Sequence, residues 1–441
     1  MNGPGNTDAT RRYVDENYPI AIVGGGLGGL ALAVGLIKHG IKTHIYEAAP
    51  KFSELGAGVS FGPNAVRALG LIDEKLLQGY KKHATFDQDQ IHGEGFAALR
   101  WGTDERREGG KRAGDFMAFV EDTQYAHVTK SIGVKTRSCI HRARLLEVLV
   151  SMIPEGTTSF NKQFEKVEEN PDGTLELHFS DGSTSTARSV VGCDGIRSKV
   201  RRFVCGPNIE AKYQNEYALR AVVPKSEAES VLGPELTNNG QFYCGYNGYI
   251  LTYPIDRGEF INMVALPKIV DEAWPSSTEW TVPATKDDFT RYFGNYYSPI
   301  IGLMQKHHLP QKWALFDLEH TKSYAKDRMC LLGDSAHATL PHVGGGAGMA
   351  MEDAYVLSSL IAQVQDSGNI ERAFQAYDTV RRPRTQKLIQ KSRGSGATLS
   401  LMMEGVGDDA ILLKKRLEES YFHWLWYEDL EKQLEYAKTL V

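Results

Sequence analysis

Three glycines and one acidic residue near the start of the chain have the types and the spacing of a phosphate-binding turn. Gly24, Gly26 and Gly29 form a G-x-G-x-x-G pattern, and Glu47 follows it by roughly 20 residues. In this pattern the first glycine allows a tight turn, the second lets the backbone approach a pyrophosphate, and the third lets a helix pack closely on a strand. The acidic residue is placed to accept hydrogen bonds from a ribose 2′-OH. These residues predict a dinucleotide site.

The segment around these glycines has the order of elements that such a site requires. Ile20–Val23 predicts an apolar strand, residues 30–39 predict an amphipathic helix, and Thr43–Tyr46 predicts a second strand. The phosphates would lie at the helix N-terminus, where free N–H groups and the helix dipole favour negative charge. A transmembrane helix is the alternative, because residues 20–37 are almost wholly uncharged and approach the roughly 20 residues that span a bilayer. Six glycines in that run and its β-rich start exclude it.

The composition of the chain favours a globular enzyme of more than one domain. Its 441 residues exceed the roughly 250–300 at which single hydrophobic cores stop growing. A net charge of −5 favours neither nucleic acid nor an anionic membrane as a partner. The polar N-terminus lacks the apolar segment of a secretory signal, and five scattered cysteines predict reduced thiols instead of disulfides or a metal site. We therefore expect a cytoplasmic monomer or homodimer without a bound metal.

Patterns further along the chain place pieces of a nucleotide-binding domain on both sides of a β-rich insertion. Residues 157–193 predict a hairpin-rich meander, 215–267 an antiparallel sheet and 327–334 a buried strand. Helical patterns cover 140–153 and 346–364, and the last part of the chain is expected to be helical, with breaks near Pro383 and around residues 394–396. The predicted parts are nucleotide-binding segments at 18–90, 136–205 and 316–380, a substrate-side segment at 91–135, a β-rich substrate domain at 206–315 and a helical region at 381–441.

Three further motifs accompany the glycine turn. Asp194-Gly195 follows one apolar strand, Gly333-Asp334 follows another, and Arg142 opens a helix within HRARL. With these motifs the sequence resembles the group A flavoprotein aromatic hydroxylases, the family of p-hydroxybenzoate hydroxylase, and within it the salicylate hydroxylase-like branch of fungal and bacterial enzymes. The resemblance covers nearly the whole chain and rests on GGGLGG at 24–29, HRARL at 141–145, CDGIRSKVR at 193–201, LLGDSAHATLPHVGGGAGMAMEDA at 331–354 and WLWYEDLEKQLEYA at 424–437.

The resemblance implies a fold and a cofactor. The implied fold is α/β, with a discontinuous Rossmann-like FAD-binding domain, an inserted β-sheet substrate domain and C-terminal helices. The implied cofactor is FAD, and NAD(P)H is the co-substrate, bound transiently because the chain lacks a second glycine fingerprint. The residues that the resemblance assigns to FAD are Gly24, Gly26, Leu27, Gly29, Glu47, Ala48, Gly58, Arg142, Asp194, Gly333, Asp334, Gly346 and Ala347.

The resemblance also implies a role for individual residues. The glycine turn holds the FAD pyrophosphate, Glu47 the adenosine ribose, Arg142 the phosphate–ribityl region, and Asp334 the ribityl chain. Asp194-Gly195 resembles the second flavin motif of the family, which is also implicated in binding the reduced nicotinamide. The loop at 344–348 is expected against the flavin, with the following helix directed at N1 and C2=O. A helix N-terminus stabilises an anion by roughly 0.3–2 kcal/mol, and reduced flavin carries negative charge near N1.

Residues of the β-rich insertion and of the loop after Asp334 are the candidates for the substrate side. Arg220 is the first, because arginine can hold a carboxylate with two parallel hydrogen bonds, and Tyr253 is the second. His342, beside Pro341, is expected where the substrate ring approaches. Candidates for the wall of the site are Tyr243, Tyr246 and Tyr249. A small aromatic molecule is the expected partner.

Each candidate also has a structural interpretation. Asp194 and Asp334 can be ordinary turn residues at strand ends, Arg142 a solvated helix residue and Arg220 a surface arginine. For His337 a structural role is favoured. Glu352-Asp353 is also interpreted as structural, because a charged pair inside a helix usually caps, pairs or faces water.

The resemblance implies a monooxygenase reaction. NAD(P)H reduces FAD, O2 adds to form a C4a-hydroperoxyflavin, and this species transfers OH to a phenol. The leading hypothesis is a salicylate 1-hydroxylase type of reaction, which releases CO2 and leaves a catechol. The alternatives are a phenol hydroxylase of secondary metabolism that dearomatises a polyketide-derived ring, a simple NAD-dependent dehydrogenase, and a non-enzymatic GDI-like Rossmann protein. The dehydrogenase would explain residues 20–47 but would leave the Gly333-Asp334 motif without a purpose.

Overall fold

The computed structural model describes residues 18–52, 58–86, 95–104, 110–121, 137–269, 273–276, 279–364 and 369–441. The N-terminal segment 1–17, on which the expected absence of a secretory signal rests, lies outside the described residues. So do residues 91–94, 105–109 and 122–135 of the predicted substrate-side segment.

Twenty β-strands lie in the described part of the chain. They are β1 (Ile20–Val23), β2 (Thr43–Tyr46), β3 (Gly58–Phe61), β4 (Thr85–Phe86), β5 (Gly95–Trp101), β6 (Phe116–Glu121), β7 (Ser138–His141), β8 (Thr158–Ser159), β9 (Phe164–Glu169), β10 (Leu175–Phe179), β11 (Thr184–Ala187), β12 (Ser189–Gly192), β13 (Lys212–Pro224), β14 (Gln241–Gly245), β15 (Gly248–Ile255), β16 (Phe260–Pro267), β17 (Thr281–Pro283), β18 (His308–Asp317), β19 (Ala325–Lys326) and β20 (Met329–Leu331).

Fourteen α-helices accompany them within the same described ranges. They are α1 (Leu27–Lys38), α2 (Pro63–Ile72), α3 (Glu74–His83), α4 (Arg142–Val150), α5 (Val200–Cys205), α6 (Lys225–Leu232), α7 (Pro234–Thr237), α8 (Lys286–Phe293), α9 (Ser298–His307), α10 (Asp334–His337), α11 (Gly346–Gln363), α12 (Ile370–Leu399), α13 (Ala410–Tyr421) and α14 (Leu430–Lys438). Short 3₁₀ turns cover Asp256–Gly258 and Pro341–Val343. None of the described helices has the length and apolar character needed to cross a bilayer.

The first sheet is six-stranded and gathers strands from distant parts of the chain. Its order is β19-β20-β12-β1-β2-β8, and all neighbours are parallel except β19 and β20. The buried strand β1 lies between β12 and β2, and α1 follows it directly. This arrangement confirms the predicted βαβ unit. The helix begins at Leu27, three residues earlier than predicted, because Gly26 occupies its N-cap position.

The second sheet is eight-stranded and forms the insertion. Its order is β17-β18-β13-β16-β15-β14-β5-β6, and its neighbours are antiparallel except β14 and β5. One face packs on α8 and α9 through a core that includes Phe289, Phe293 and Met304. On the opposite face, Phe242 and Tyr249 share a core with side chains of α11, α12 and α13. Two antiparallel three-stranded sheets, β11-β10-β9 and β3-β7-β4, complete the fold.

Helix α12 contradicts the predicted breaks near Pro383 and around residues 394–396. It runs without interruption over 30 residues and contains Pro383 in its interior. Arg381 and Arg384, on either side of the proline, are both ion-paired with α11, and these tertiary contacts hold the helix across the position where its backbone lacks a donor. Gly396 has a packing role, because a Cβ there would lie 2.6 Å from the His342 ring.

A buried ion network joins α11 to α12 and confirms the structural interpretation of Glu352 and Asp353. Both carboxylates are fully buried. Arg381 contacts both at 2.8 Å, Arg384 holds Glu352 through two nitrogens at 2.7 and 2.8 Å, and His337 Nε2 lies 2.5 Å from Asp353. Burial raises the pKa of Asp353, but His337 and Arg381 outweigh this effect and lower it to about 2. Because each charge has a partner, the core accommodates them.

We predict that Arg381→Met lowers the free energy of unfolding by about 3–5 kcal/mol, because it removes the cation that contacts both buried carboxylates. Urea unfolding monitored by circular dichroism measures this loss. Arg416→Met is the matched control, since Arg416 makes only a half-exposed ion pair with Glu419 at 3.6 Å, and such pairs contribute about 0–1 kcal/mol. Equal losses in the two variants would contradict a stabilising role for the network.

Candidate functional site

A cavity of about 400 Å³ connects the two large sheets. At one end it is lined by the glycine turn after β1, by residues that follow β12 and β20, and by the loop that leads into α11. At the other end it is lined by side chains of β13, β14, β15 and β16. The carboxyl ends of parallel strands are where open α/β sheets bind ligands. The cavity therefore places a nucleotide-binding edge opposite the face of an antiparallel sheet.

The glycine turn has the geometry that its spacing predicts. Gly24 has φ +105°, and a Cβ on it would lie 2.4 Å from the carbonyl oxygen of Cys193. A Cβ on Gly29 would lie 2.1 Å from the carbonyl oxygen of Gly24. Gly26 differs, because a Cβ there would meet nothing within 4 Å, and this residue lines the cavity together with Leu27. The turn is thus closed on the protein side and open on the ligand side.

Glu47 ties the second strand to the glycine turn. Its carboxylate accepts hydrogen bonds from the backbone N–H groups of Gly25 at 2.6 Å and Ala49 at 2.7 Å. Ala48, the residue between Glu47 and Ala49, is exposed and does not line the cavity. The predicted contact of Glu47 with a ribose stays a prediction, and the structure adds that the same carboxylate fixes the turn.

Asp334 presents a carboxylate to the cavity. It begins α10 directly after Gly333, whose φ of +68° turns the chain at the end of β20. The Asp334 side chain is exposed to the cavity and accepts no hydrogen bond from the described residues. Arg142, the first residue of α4, and Gly58, the first residue of β3, line the same space.

The N-terminus of α11 also faces the cavity. Gly346 and Ala347 of its first turn are cavity residues, and Gly348 packs against Ala65 of α2, where a Cβ would lie 3.0 Å away. Small residues therefore bring an 18-residue helix, with the positive end of its dipole, up to the cavity. These groups fit FAD. The open glycine turn suits the pyrophosphate, the carboxylate of Asp334 suits the ribityl hydroxyls, and this helix N-terminus suits the flavin ring.

Asp194 makes its contacts within its own turn, and its predicted role toward FAD stays a prediction. Cys193 and Gly195 line the cavity, whereas Asp194 does not. Its carboxylate accepts hydrogen bonds from Ser198 Oγ at 2.5 Å, Lys199 N at 2.7 Å and Val200 N at 3.1 Å. The structure thus places Asp194 as the acceptor that closes the turn into α5.

Arg220 and Tyr253 meet at the substrate end of the cavity. Arg220 lies over the Trp313 ring at 5.1 Å, and its Nε has no hydrogen-bond partner among the described residues. Burial lowers the pKa of Arg220. Burial raises the pKa of Tyr253 to about 12, because here too it disfavours the charged form. The Tyr253 hydroxyl donates to the carbonyl oxygen of Gly58 at 3.5 Å. The two predicted residues therefore lie in one low-dielectric space, as a binding role requires.

Pro341 and His342 line the cavity beside the β-sheet. The His342 ring is buried, and its Nδ1 lies 2.8 Å from the hydroxyl of Tyr249. Its Nε2 lies 2.9 Å from Oε2 of Glu216, without the directional geometry of a hydrogen bond. Both ring nitrogens therefore face protein groups, so His342 does not offer a free nitrogen to a ligand.

Two of the three tyrosines predicted for the wall do not line the cavity. Tyr249 lines the cavity, as predicted. Tyr243 belongs to the core on the opposite face, because its neighbour Phe242 takes the cavity side. Tyr246 lies outside the lining and donates to Asp408 at 2.7 Å.

Sequence reasoning also missed several residues that the fold brings to the site. Arg137 is buried, lines the cavity and lies 5.2 Å from the Tyr253 ring. Asn262 of β16 and Tyr421 of α13 line the cavity, and Glu216 of β13 lies directly behind it. None of these residues belongs to a motif. For Asn262 the only sequence signal is a polar residue in a strand that is otherwise buried and apolar.

Comparisons with known proteins agree with this geometry. Residues 17–392 match the family described as the FAD binding domain. The chain is 34% identical to a 6-methylsalicylate 1-monooxygenase of Aspergillus terreus, over 94% of this chain and 90% of that protein. It is also 34% identical to a salicylate hydroxylase of Pseudomonas putida, over 95% of this chain and 94% of the relative. A solved salicylate hydroxylase in a substrate complex superimposes with a TM-score of 0.81 at 29% identity, over 95% of this chain and 98% of that one.

We predict that Asp334→Ala weakens FAD binding by about 10- to 100-fold, because it removes a charged hydrogen-bond acceptor that faces the cavity. Titration of the apoprotein with FAD, followed by flavin fluorescence, measures this change. Asp194→Ala is the contrasting variant. It removes the acceptor that closes the turn into α5, so thermal stability is expected to fall more than FAD affinity. A larger loss of FAD affinity in Asp194→Ala, with a larger loss of thermal stability in Asp334→Ala, would contradict the positions described for the two carboxylates.

Proposed function

The chain belongs to the FAD-binding-domain family and is an FAD-dependent monooxygenase of aromatic compounds, and from this premise we propose that it hydroxylates a phenolic acid of the salicylate type. The proposed substrate is salicylate or a substituted salicylate. Attack at the carbon that bears the carboxyl group would release CO2 and leave a catechol, with NAD(P)H as the electron donor.

The observation that carries the proposal is the position of Arg220. The side chains around the substrate end are mainly apolar, which suits an aromatic ring, and they include Phe242, Leu251, Val264 and Leu266. Within this wall Arg220 presents a guanidinium whose Nε has no partner in the described protein. A half-buried cation without an anionic partner is costly, and a carboxylate that accepts two parallel hydrogen bonds would satisfy it. An aromatic acid therefore fits this end better than a neutral ring.

The opposite end of the cavity would hold FAD. The proposed contacts are the turn at Gly26 and Leu27 for the pyrophosphate, Glu47 for the adenosine ribose, Arg142 and Asp334 for the ribityl–phosphate region, and the N-terminus of α11 for the flavin ring. When bound, FAD supplies the redox chemistry, taking electrons from NAD(P)H and activating O2 so that one oxygen atom reaches the substrate and the other forms water.

The residues of this chain orient the substrate and exclude water. The guanidinium of Arg220 would fix the carboxylate, and the apolar side chains around it would keep water away from the reacting ring, which protects reactive species from side reactions. Tyr253 would contribute its ring to the wall, because its hydroxyl already contacts Gly58. Pro341 would place its ring against the substrate from the loop before α11.

We expect salicylate to trigger reduction of the flavin. Anaerobic mixing of the FAD-loaded protein with NADH or NADPH, with and without salicylate, is followed by the visible absorbance of the flavin. Fast bleaching only with salicylate would support both the class and the substrate. Slow bleaching in every mixture would exclude salicylate and favour a larger phenol, such as a polyketide-derived ring.

We predict that Arg220→Met weakens salicylate binding by about 10- to 100-fold, through the loss of a hydrogen bond to a charged group. The dissociation constants of salicylate and of phenol, obtained from the perturbation of the flavin spectrum, separate this effect from general damage to the cavity. Affinity for phenol, which lacks the carboxylate, is expected to change little.

The matched control is Arg197→Met. Arg197 also lies over a tryptophan ring, that of Trp280 at 4.4 Å, but it does not line the cavity. A similar loss of salicylate affinity in both variants would contradict the assignment of Arg220 to the carboxylate.

A further inference from the structure

A buried asparagine interrupts the apolar wall at the substrate end of the cavity. Asn262 of β16 lines the cavity and is only 1% exposed. The next two residues of this strand on the same face, Val264 and Leu266, are apolar and line the cavity as well. A buried amide is costly unless its polar atoms are hydrogen-bonded. The bonds that the protein gives to Asn262, and the bond that it does not give, therefore indicate what a ligand supplies.

The amide of Asn262 has a partner at its nitrogen end. Tyr253 lies opposite Asn262 on β15. Burial raises the pKa of Tyr253 to about 12, and a hydrogen bond with the Asn262 side chain is among the smaller effects that oppose this rise. Because the Tyr253 hydroxyl donates its hydrogen to the carbonyl oxygen of Gly58, its oxygen accepts from the amide nitrogen. Oδ1 of Asn262 is buried and accepts no hydrogen bond from the residues that the structure describes. The wall thus contains an unused acceptor.

The register of the sheet makes Asn262 a diagonal neighbour of Arg220. Arg220 of β13 lies opposite Val264, two residues along the strand from Asn262. Diagonal neighbours on one face of a sheet are about 7–8 Å apart, so a single aromatic ring can lie between the two side chains. Nε of Arg220 is a donor and Oδ1 of Asn262 is an acceptor, and neither atom has a partner within the described ranges. A ligand that satisfies both atoms carries an anionic group and a hydrogen-bond donor.

The phenol group of a salicylate is a poor partner for this acceptor. A phenolate ring is richer in electrons than a phenol ring, so it reacts more readily with an electrophilic oxygen. A hydrogen bond from the phenol to Oδ1 of Asn262 would stabilise the neutral phenol and disfavour its ionisation. The donor that suits Asn262 is therefore a second substituent on the ring, one that keeps its proton during the reaction. Hydroxyl and amino groups have this property.

We propose that Asn262 is a specificity-determining residue that accepts a hydrogen bond from a second hydroxyl or amino group on the ring of the substrate. This inference rests on the proposed function, because it requires an aromatic acid whose carboxylate is held by Arg220. It narrows the substrate class to salicylates that carry an additional donor. A methyl group in place of that donor leaves Oδ1 unsatisfied, and a site built to bind a hydroxyl group discriminates strongly against the analogue that lacks it.

The test compares pairs of aromatic acids on the FAD-loaded protein. Each pair consists of a ring-hydroxylated salicylate and the methylsalicylate with its methyl group at the same position, so the two molecules have nearly the same size. Their dissociation constants are obtained from the perturbation of the flavin spectrum. For at least one ring position, we expect the wild type to bind the hydroxylated acid about 10- to 100-fold more tightly. In Asn262→Leu this ratio is expected to fall to about 1 or below, because the acceptor is absent.

Thr252→Val is the matched control. Thr252 is another buried polar residue of the same sheet, and its Oγ1 also has no partner in the described part of the chain. It does not line the cavity, because its neighbour Tyr253 takes that face of β15. The ratio of the two dissociation constants is expected to equal that of the wild type. If Asn262→Leu does not fold, Asn262→Val is the second variant, since it introduces the residue type that the same strand carries at Val264.

The outcomes separate this inference from the proposed function. A wild type that binds salicylate, but binds each methylated acid as tightly as its hydroxylated partner, would overturn the role of Asn262 and leave the proposed function intact. A preference for the hydroxylated acid that persists in Asn262→Leu, or that is lost equally in Thr252→Val, would overturn the assignment of the acceptor to Asn262. A wild type that binds none of these acids, salicylate included, would overturn the proposed substrate and this inference with it.

Discussion

The buried ion network between α11 and α12 is the constraint on which the geometry of the cavity depends. Helix α11 brings its N-terminus to the cavity, and Glu352 and Asp353 on its next turns are neutralised by Arg381, Arg384 and His337. Arg384 also donates to the backbone carbonyl of Leu425, so the same guanidinium fixes the C-terminal segment. Removing one cation would weaken the compensation of a fully buried carboxylate, which is more costly than the loss of an exposed pair. The network thus fixes α11, α12 and the C-terminal segment relative to one another.

The two large sheets contribute to the site by different rules. In the parallel sheet, backbone and small residues at the strand ends create the binding edge, because the chain must turn sharply there and leave N–H groups free for a phosphate. In the antiparallel sheet, every second side chain faces the cavity, so Ala218 and Arg220 of one strand and Leu251 and Tyr253 of another line it together. The end of the cavity at the parallel sheet depends on the positions of glycines. The end at the antiparallel sheet depends on which face of the sheet each strand residue points to.

This difference explains how much could be predicted from the sequence. The glycine turn is local, so its spacing was enough to predict it, and the family resemblance supplied the Gly333-Asp334 turn and the loop into α11. Tyr243 was assigned to the wall wrongly, because a one-residue error in strand phase moves a side chain to the other face. Asn262 and Glu216 could not be identified, since their role depends on residues far away in the chain. The predicted break at Pro383 was wrong for the same reason, because ion pairs with a separate helix override the local preference of proline.

The charges around the cavity favour anionic ligands at both ends. Among the described lining residues are three arginines, Arg137, Arg142 and Arg220, and a single carboxylate, that of Asp334. A cleft with walls of low dielectric concentrates such a field. Under the proposed function FAD would bring two phosphate charges, which Arg142 and the N-terminus of α1 would compensate, and Arg220 lies at the sheet, at the other end of the cavity. Once FAD is bound, the cation at the sheet still lacks an anionic partner. Under the proposed function, a substrate that carries a carboxylate beside its phenol would complete the charge balance, whereas a neutral phenol would not.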